Sequence, residues 1–526
     1  MSYLITRVDG SSEPSEDYRK ITQGEFHIYH TEETEVKQEE ERTYLLDGLI
    51  PDSTESIGDF RETYKDEDRS LKNLEGFYTG IIIESDKVKV FRDIFGTKAA
   101  YYCINTFALS SGIKPLLQIL PGQQELNREV AADYLANGLV DHRRETFFRK
   151  VKRLKPKDNL HYNGEKIVIE EKEYIPKDKN GALKPLLEEN IEKLKPENGD
   201  YYCPVSGGLD SAIITSKCED ARHIHLSFLH GTKDKEYLPD VKSEYDLDVQ
   251  ELEVKPIDLL EEVENTVRSQ EEPTAFPAVP AQSILYRNIE DGNTVISGTG
   301  ADELFYGYSW FLPFYLADKL KEGKVLSFFK EMVNYRKSLG SNHLYGLKDI
   351  LLKGGATLPS GADDFVNFET PPMRIKGLEE ARRKHLEKFY FPHLLRSIQK
   401  NSQQYDVDVR PAFLSRKLFE LSSSVETDEH FQDGLKKFLL RSSFREELPE
   451  SVFHRKQKTG FVSASNRLYT SSTSKKFLEV FKSDSFQSRE LIKSESVLKS
   501  VEKGFLPFET AYRFYNFELW MREFID

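Results

Sequence analysis

The sequence predicts an α/β chain in two parts, a strand-rich first part and a second part built on a doubly wound parallel sheet with a large helical portion. Three observations predict this. Up to about residue 175 the text runs as short apolar or alternating stretches cut by turn signals. From about residue 200 apolar strands alternate with helical stretches, the pattern of a parallel sheet covered by helices. From Tyr308 onward the text turns helical and rich in aromatics.

In EGFYTGIIIESDKVKVFRDIFG, residues 80–83 and 88–91 flank a polar turn and read as paired strands. The charge run TEETEVKQEEERT (31–43) reads as a solvated loop or an exposed edge. PKDKNGALKP (176–185), with its Pro, Gly and Lys, reads as a boundary, which divides the chain into 1–178 and 179–526. Beyond it, strands are expected at 201–205, 224–229, 249–254 and 294–297, with a helix over IDLLEEVENTVRSQ (257–270). No strand is expected after Tyr308, where WFLPFYLADKL, VLSFFKEMVNY and RKHLEKFYFPHLLRSIQ read as helices whose aromatics fill a core.

Composition narrows the function. A chain of 526 residues, 38% hydrophobic, has enough apolar material for two or three domains. Its 74 Lys+Arg against 89 Asp+Glu give a net charge of −15, which repels phosphate backbones, so no nucleic acid partner is expected. Only Cys103, Cys203 and Cys218 occur, without a CxxC pair, so neither a disulfide framework nor a cysteine zinc site can form and a reducing compartment is favoured. No apolar run approaches the ~20 residues that span a bilayer, and the opening MSYLITRVDGSSEPSEDY turns polar early. The expectation is a cytoplasmic protein with no membrane partner and an oligomeric state that the sequence leaves open.

Two loops carry the chemistry. The first, Val205-Ser206-Gly207-Gly208-Leu209-Asp210-Ser211, lies where a buried strand passes into a helix. Its glycines let backbone N–H groups approach an anion, and the helix start adds free amides and positive potential, so a phosphate fits. It is neither a Walker loop nor the dinucleotide fingerprint, since both spacings are absent. The second, Ser297-Gly298-Thr299-Gly300-Ala301-Asp302-Glu303, follows another short strand. Asp302 alone reads as a helix N-cap. Beside the phosphate loop, Asp210 and Asp302 at the tips of parallel strands could share a crevice, and Mg²⁺ held by both would bridge to a polyphosphate.

SGGLDS (206–211) with SGTGADELFYGY (297–308) resembles the asparagine synthetase family of ATP pyrophosphatase-type ligases. FRDIFGTKAAYY (91–102) and LSSGIKPLL (109–117) are similar to that family's glutaminase-like domain, of the Ntn αββα type. QEEPTAFPAVP (270–280), VRPAFLS (409–415), KFLLR (437–441) and RKQKTGF (455–461) follow in the family's order. The resemblance implies ATP and Mg²⁺ as cofactors, a carboxylate and an amine as substrates, and an acyl adenylate with release of pyrophosphate. It assigns pyrophosphate to Ser206, Gly207, Gly208 and Ser211, and Mg²⁺ to the catalytic pair Asp210 and Asp302. Val205 and the strand end Leu226, Ser227 and Phe228 border adenine, and Ser297, Gly298, Thr299 and Gly300 complete the nucleotide side. Lys458 matches the catalytic lysine over the α-phosphate, whereas from residues alone RKQK reads as a solvated basic run. Lys437 and Arg441 are open between phosphate contact and surface charge.

The chain also departs from the family. Glutamine-using members open with a nucleophilic cysteine, whereas this chain opens Met1-Ser2-Tyr3, and Asp47-Gly48 stands where the oxyanion-forming Asn-Gly belongs. Thr299 replaces the usual glutamate or the β-lactam-forming branch's tyrosine, and Ser415 replaces an aspartate. These departures imply an inactive glutaminase-like half. Among branches of that kind, lasso peptide cyclases join a precursor peptide's own carboxyl and amine, which would bring a precursor peptide or biosynthetic partner proteins. The alternatives are an ammonia-dependent small-molecule ligase, a tRNA-modifying relative, which the acidic composition disfavours, and a non-catalytic ATP-binding protein.

Overall fold

The computed structural model describes residues 2–7, 18–51, 53–65, 71, 74–171, 181–197, 199–228, 234–357, 362–369, 374–456 and 468–526. In the first part, two six-stranded antiparallel sheets stack face to face. One runs, in order, through Val151–Arg153, Tyr101–Cys103, Ala108–Ser110, Tyr3–Thr6, Phe26–His30 and Arg19–Gln23. The other runs through Ile167–Glu171, Asp158–Tyr162, Val88–Arg92, Phe77–Ile83, Thr43–Leu49 and Thr34–Gln38. Period-two alternation sorts the side chains. Tyr3 and Ile5 meet Leu45 and Ile81 between the sheets. Tyr44 and Leu46 turn outward under Phe60 of the helix Ser56–Lys65, and Leu4 and Tyr29 turn the other way, into a core shared with the second part. The 31–43 charge run supplies Thr34–Gln38, the edge strand of its sheet, where charges discourage pairing with another chain.

The second part contains, in chain order, β1 (Tyr201–Pro204), α1 (Leu209–Thr215), β2 (Arg222–Phe228), β3 (Val249–Val254), α2 (Pro256–Gln270), β4 (Thr294–Ser297), α3 (Ala301–Leu304), α4 (Leu312–Lys321), α5 (Val325–Asn334), α6 (Ser341–Lys353), α7 (Tyr390–Gln404), β5 (Asp408–Pro411), α8 (Phe438–Ser443) and α9 (Phe508–Phe524). The strands form one sheet in the order β3-β2-β1-β4-β5, and every neighbouring pair is parallel. Chain order reverses between β1 and β4, and in open α/β sheets the crevice outside the strand tips at that point is where ligands bind.

β5 corrects the expectation that no strand follows Tyr308. Its four residues include a proline and two charges, too short and too polar to register as a strand. It is nevertheless an edge strand, where a proline lacking N–H breaks no essential ladder. The segment around 176–180 lies outside the described residues. Among those described, no helix is long and apolar enough to cross a membrane.

Buried charge and aromatic packing join the two parts. α9 lays Trp520 against Phe147 and Phe148, and the indole N–H donates to the carbonyl of Glu271 at 2.9 Å. Arg153 pairs with Glu272 at 2.6 Å, Arg396 with Asp141 at 2.9 Å, and Lys400 with Glu271 at 2.7 Å. Burial pushes the Glu271 carboxyl up, but the Lys400 ammonium and the amides of Ile113 and Lys114 outweigh it and hold it below the usual range. The QEEPTAFP segment is therefore a junction between the two parts.

Candidate functional site

The loop after β1 is tied to itself by two hydroxyls. Ser206 Oγ and Ser211 Oγ lie 2.8 Å apart. The amide of Ser206 donates to Ser211 Oγ at 3.1 Å, and that hydroxyl in turn approaches the carbonyls of Ser206 and Gly208. The amide of Gly208 donates to Ser206 Oγ at 3.1 Å and opens α1. This closed ring fixes the turn expected to hold a phosphate, and α1 begins directly after it at Leu209.

Asp210 sits in the first turn of α1, and Asp302 in the first turn of α3, which Gly300 caps. The tips of β1 and β4 bring the two carboxylates together. Lys437 Nζ stands 2.6 Å from Asp210 Oδ1 and 2.5 Å from Asp302 Oδ1, with all three side chains largely buried. One cation thus already lies between the carboxylates. Lys437 holds this place from a left-handed backbone (φ 54°), a conformation uncommon outside glycine.

Gly307 makes the contact feasible. A Cβ there would lie 1.8 Å from Asp302 Oδ1 and 2.1 Å from Lys437 Cε, so no other residue fits this approach. Its amide also donates to the Asp302 carbonyl at 2.9 Å.

The remaining sequence-predicted residues fall into three groups. Val205 is held at the strand end, its amide donating to Ile224 O and its carbonyl receiving His225 Nδ1, both at 2.8 Å. Leu226 and Ser227 lie toward the tip of β2, where Ser227 Oγ is buried with no hydrogen-bond partner among the described residues. Phe228 is packed into the core with Val254 and Leu259, so its ring is a structural element. In the second loop, Gly298 contacts Asp210, and Ser297 Oγ donates to Thr299 Oγ1 at 3.2 Å. Lys458 lies outside the described residues.

Arg441 does not present a free guanidinium to the site. It donates to the carbonyls of Lys436, Val452 and Arg455 at 2.8–3.0 Å and also to that of Phe453, and burial lowers its pKa to about 10. It fastens the chain leading toward 457 onto α8. Arg455, which sequence reading took as part of a solvated run, is buried, donates to the Gly207 carbonyl at 2.6 Å and stacks on Tyr237 at 4.4 Å. Lys436, Lys437, Arg441, Arg455 and Lys456 line one open pocket with Asp210 and Asp302. Five cations against two carboxylates, over a loop of backbone amides, suit a polyphosphate. The two carboxylates also pass the test for a hard cation, since both aim oxygen at one point and Mg²⁺ takes one or two carboxylates alongside phosphate.

The first part holds a different polar cluster. Ser2 is buried, its amide donating to Ser111 Oγ at 2.8 Å and its hydroxyl receiving Gln403 Nε2 at 3.1 Å. Asp47 is also buried. Burial pushes its carboxyl up, more than nearby Lys98, a Ser2 hydrogen bond and Lys400 pull it down.

A family model described as asparagine synthase matches residues 182–522, and one described as a glutamine amidotransferase domain matches 54–175. The chain is 23% identical, over 87% of its length and 78% of the relative's, to asparagine synthetase [glutamine-hydrolyzing] 1 of Bacillus subtilis (strain 168). It is 27% identical, over 46% of each chain, to putative asparagine synthetase [glutamine-hydrolyzing] 1 of Methanocaldococcus jannaschii.

Proposed function

The chain belongs to the asparagine synthase family, whose members are ATP-dependent ligases forming carbon–nitrogen bonds, and from that premise we propose that it activates a carboxylate as an acyl adenylate and passes it to an amine without hydrolysing glutamine. The observation that carries this reading is the meeting of Asp210 and Asp302 on one ammonium, inside a cationic pocket at the sheet's switch point.

In the proposed reaction the carboxylate oxygen attacks the α-phosphorus of ATP and pyrophosphate departs. Ser206, Gly207, Gly208 and Ser211 hold the departing group, while Val205, Leu226, Ser227 and the backbone at Phe228 border adenine. Asp210 and Asp302 would hold Mg²⁺, which supplies neutralising charge for the phosphates. Ser297, Gly298, Thr299 and Gly300 complete the nucleotide side, with Thr299 beside the acyl centre. Lys458 stabilises charge that grows only as the bonds change, and an interaction of that kind raises rate rather than only affinity. The neutral amine then displaces AMP, leaving the amide and a proton.

The proposed loss of glutamine use rests on Ser2 and Asp47. The Ser2 hydroxyl is buried beneath Gln403, and a carboxyl stands where an oxyanion would need donors. The proposed division into 1–178 and 179–526 follows the Pro, Gly and Lys of 176–185. With no ammonia made in place, an amine carried by the substrate itself is the favoured nucleophile, as in macrocyclisation of a peptide.

The test is pyrophosphate release measured with a panel of carboxylates and amines, beside an Asp210→Asn control. Turnover with a peptide carboxylate and its own amine supports cyclisation. Turnover with free aspartate and ammonium, while peptides stay at background, replaces that reading with a small-molecule ligase. Tight ATP binding with no release from any pair would leave a scaffold and overturn the catalytic proposal.

A further inference from the structure

Apolar side chains on a helix normally form one stripe turned to the core. α5 and α6 carry two each. Phe328 of α5 and Leu347 and Ile350 of α6 are buried in the cluster that α4 also fills. On the outward faces, Leu326, Phe329 and Val333 of α5 are 88%, 61% and 60% exposed, and Tyr345, Leu351 and Leu352 of α6 are 68%, 43% and 74% exposed. Spacings of three, four and seven place the α5 set on one face of its helix, and on α6 a spacing of seven stacks Tyr345 on Leu352. Among the described residues, eight of the eleven large hydrophobic side chains left exposed lie between 325 and 352. A concentration of that kind marks a surface that meets something else.

Charge decides among the occupants. Segment 324–353 carries six Lys+Arg against two Asp+Glu, a net +4 in a chain of net −15. Lys324 and Lys353, at its two ends, are more than half exposed and pair with Glu322 and Asp349. Two copies of the chain meeting through this face would bring like charges together, which disfavours self-association. Leucine, phenylalanine and tyrosine on two helices that both pack against α4, in a segment of net positive charge, match helices lying in a lipid interface.

We infer that α5 and α6 form a docking surface for an anionic bilayer, on which the protein rests without spanning it. The expectation of no membrane partner came from the length of apolar runs, and run length detects only segments that cross.

The test is sedimentation of the full chain with vesicles of phosphatidylcholine alone or with about 30 mol % phosphatidylglycerol, at low and high salt. The expected result is binding to the anionic vesicles only, weakened by salt. Leu326→Asp with Leu352→Asp should lower the bound fraction by roughly tenfold while circular dichroism and pyrophosphate release stay unchanged. Both side chains are largely exposed, so folding should survive. No binding by the parent chain, or equal binding by the double variant, would overturn the inference. So would a concentration-dependent dimer that the double variant abolishes, since the face would then serve a second copy.

Discussion

A methyl group on Gly298 would come 3.2 Å from the Cβ of Asp210. The loop after β4 is therefore seated directly on the first turn of α1, and this contact brings the side chain of Asp302 within reach of that of Asp210. Any side chain at 298 pushes the loops apart, so the separation of the carboxylates is set by backbone packing and is in place before a ligand arrives.

Gly307→Ala is the sharpest probe of that geometry. Its Cβ cannot be accommodated beside Asp302 and Lys437 without moving one of them. Pyrophosphate release should fall about a hundredfold or more, with the far-ultraviolet spectrum unchanged. Normal turnover would show that Lys437 need not lie between the carboxylates.

Lys437→Met removes the cation between two buried carboxylates and should destabilise the magnesium-free protein by about 3 kcal/mol. Added Mg²⁺ should raise the unfolding temperature of this variant more than that of the parent, because the metal replaces the missing charge. Calorimetry with and without the metal measures the difference. An equal response would argue against a cation site at Asp210 and Asp302.

Lys458→Ala should keep nucleotide affinity and lose about 2.7 kcal/mol of transition-state stabilisation, a rate drop of about a hundredfold. Single-turnover kinetics alongside equilibrium ATP binding separates the two effects. Unchanged turnover removes Lys458 from the mechanism.

The two loops at the tips of β1 and β4 were legible in the sequence because their residues are contiguous, SGGLDS and SGTGADE each following a strand. What escaped was what tertiary packing decides. Lys437 stayed open between phosphate contact and surface charge because nothing nearby in sequence announces the two carboxylates that enclose it. Arg455 belonged to a run of cations that suggested solvent, yet Gly207 and Tyr237 bury it. The resemblance sets the strand end at Phe228 beside adenine, and the packing of its ring in the core leaves its backbone for that role. β5 escaped because only its neighbour β4 makes DVRP a strand. The aromatics after Tyr308 were rightly read as core for Phe311 and Phe314, whereas Leu326 and Phe329 point out, a distinction that composition does not carry.

Asp47→Asn tests the first part by pH. Burial raises the folded-state pKa of Asp47 above its unfolded value, so the native state keeps a proton the unfolded chain has released. Parent stability therefore falls as pH rises from the unfolded pKa, about 3.9, through the folded one. The asparagine variant escapes that loss and should melt roughly 2–4 °C higher on the alkaline side of the folded pKa, with the gap closing toward pH 4 or so. Melting curves at several pH values follow it. A constant gap would mean Asp47 does not titrate in that window.

The docking of α9 sets a rule for anyone shortening this molecule. Trp520 leans on Phe147 and Phe148, and the same core takes in Leu4 and Tyr29. Whatever chemistry the early sheets keep or have lost, cutting them away would bare an aromatic wall that has no other cover. The early sheets cover that wall, and an excised second part should clump rather than work.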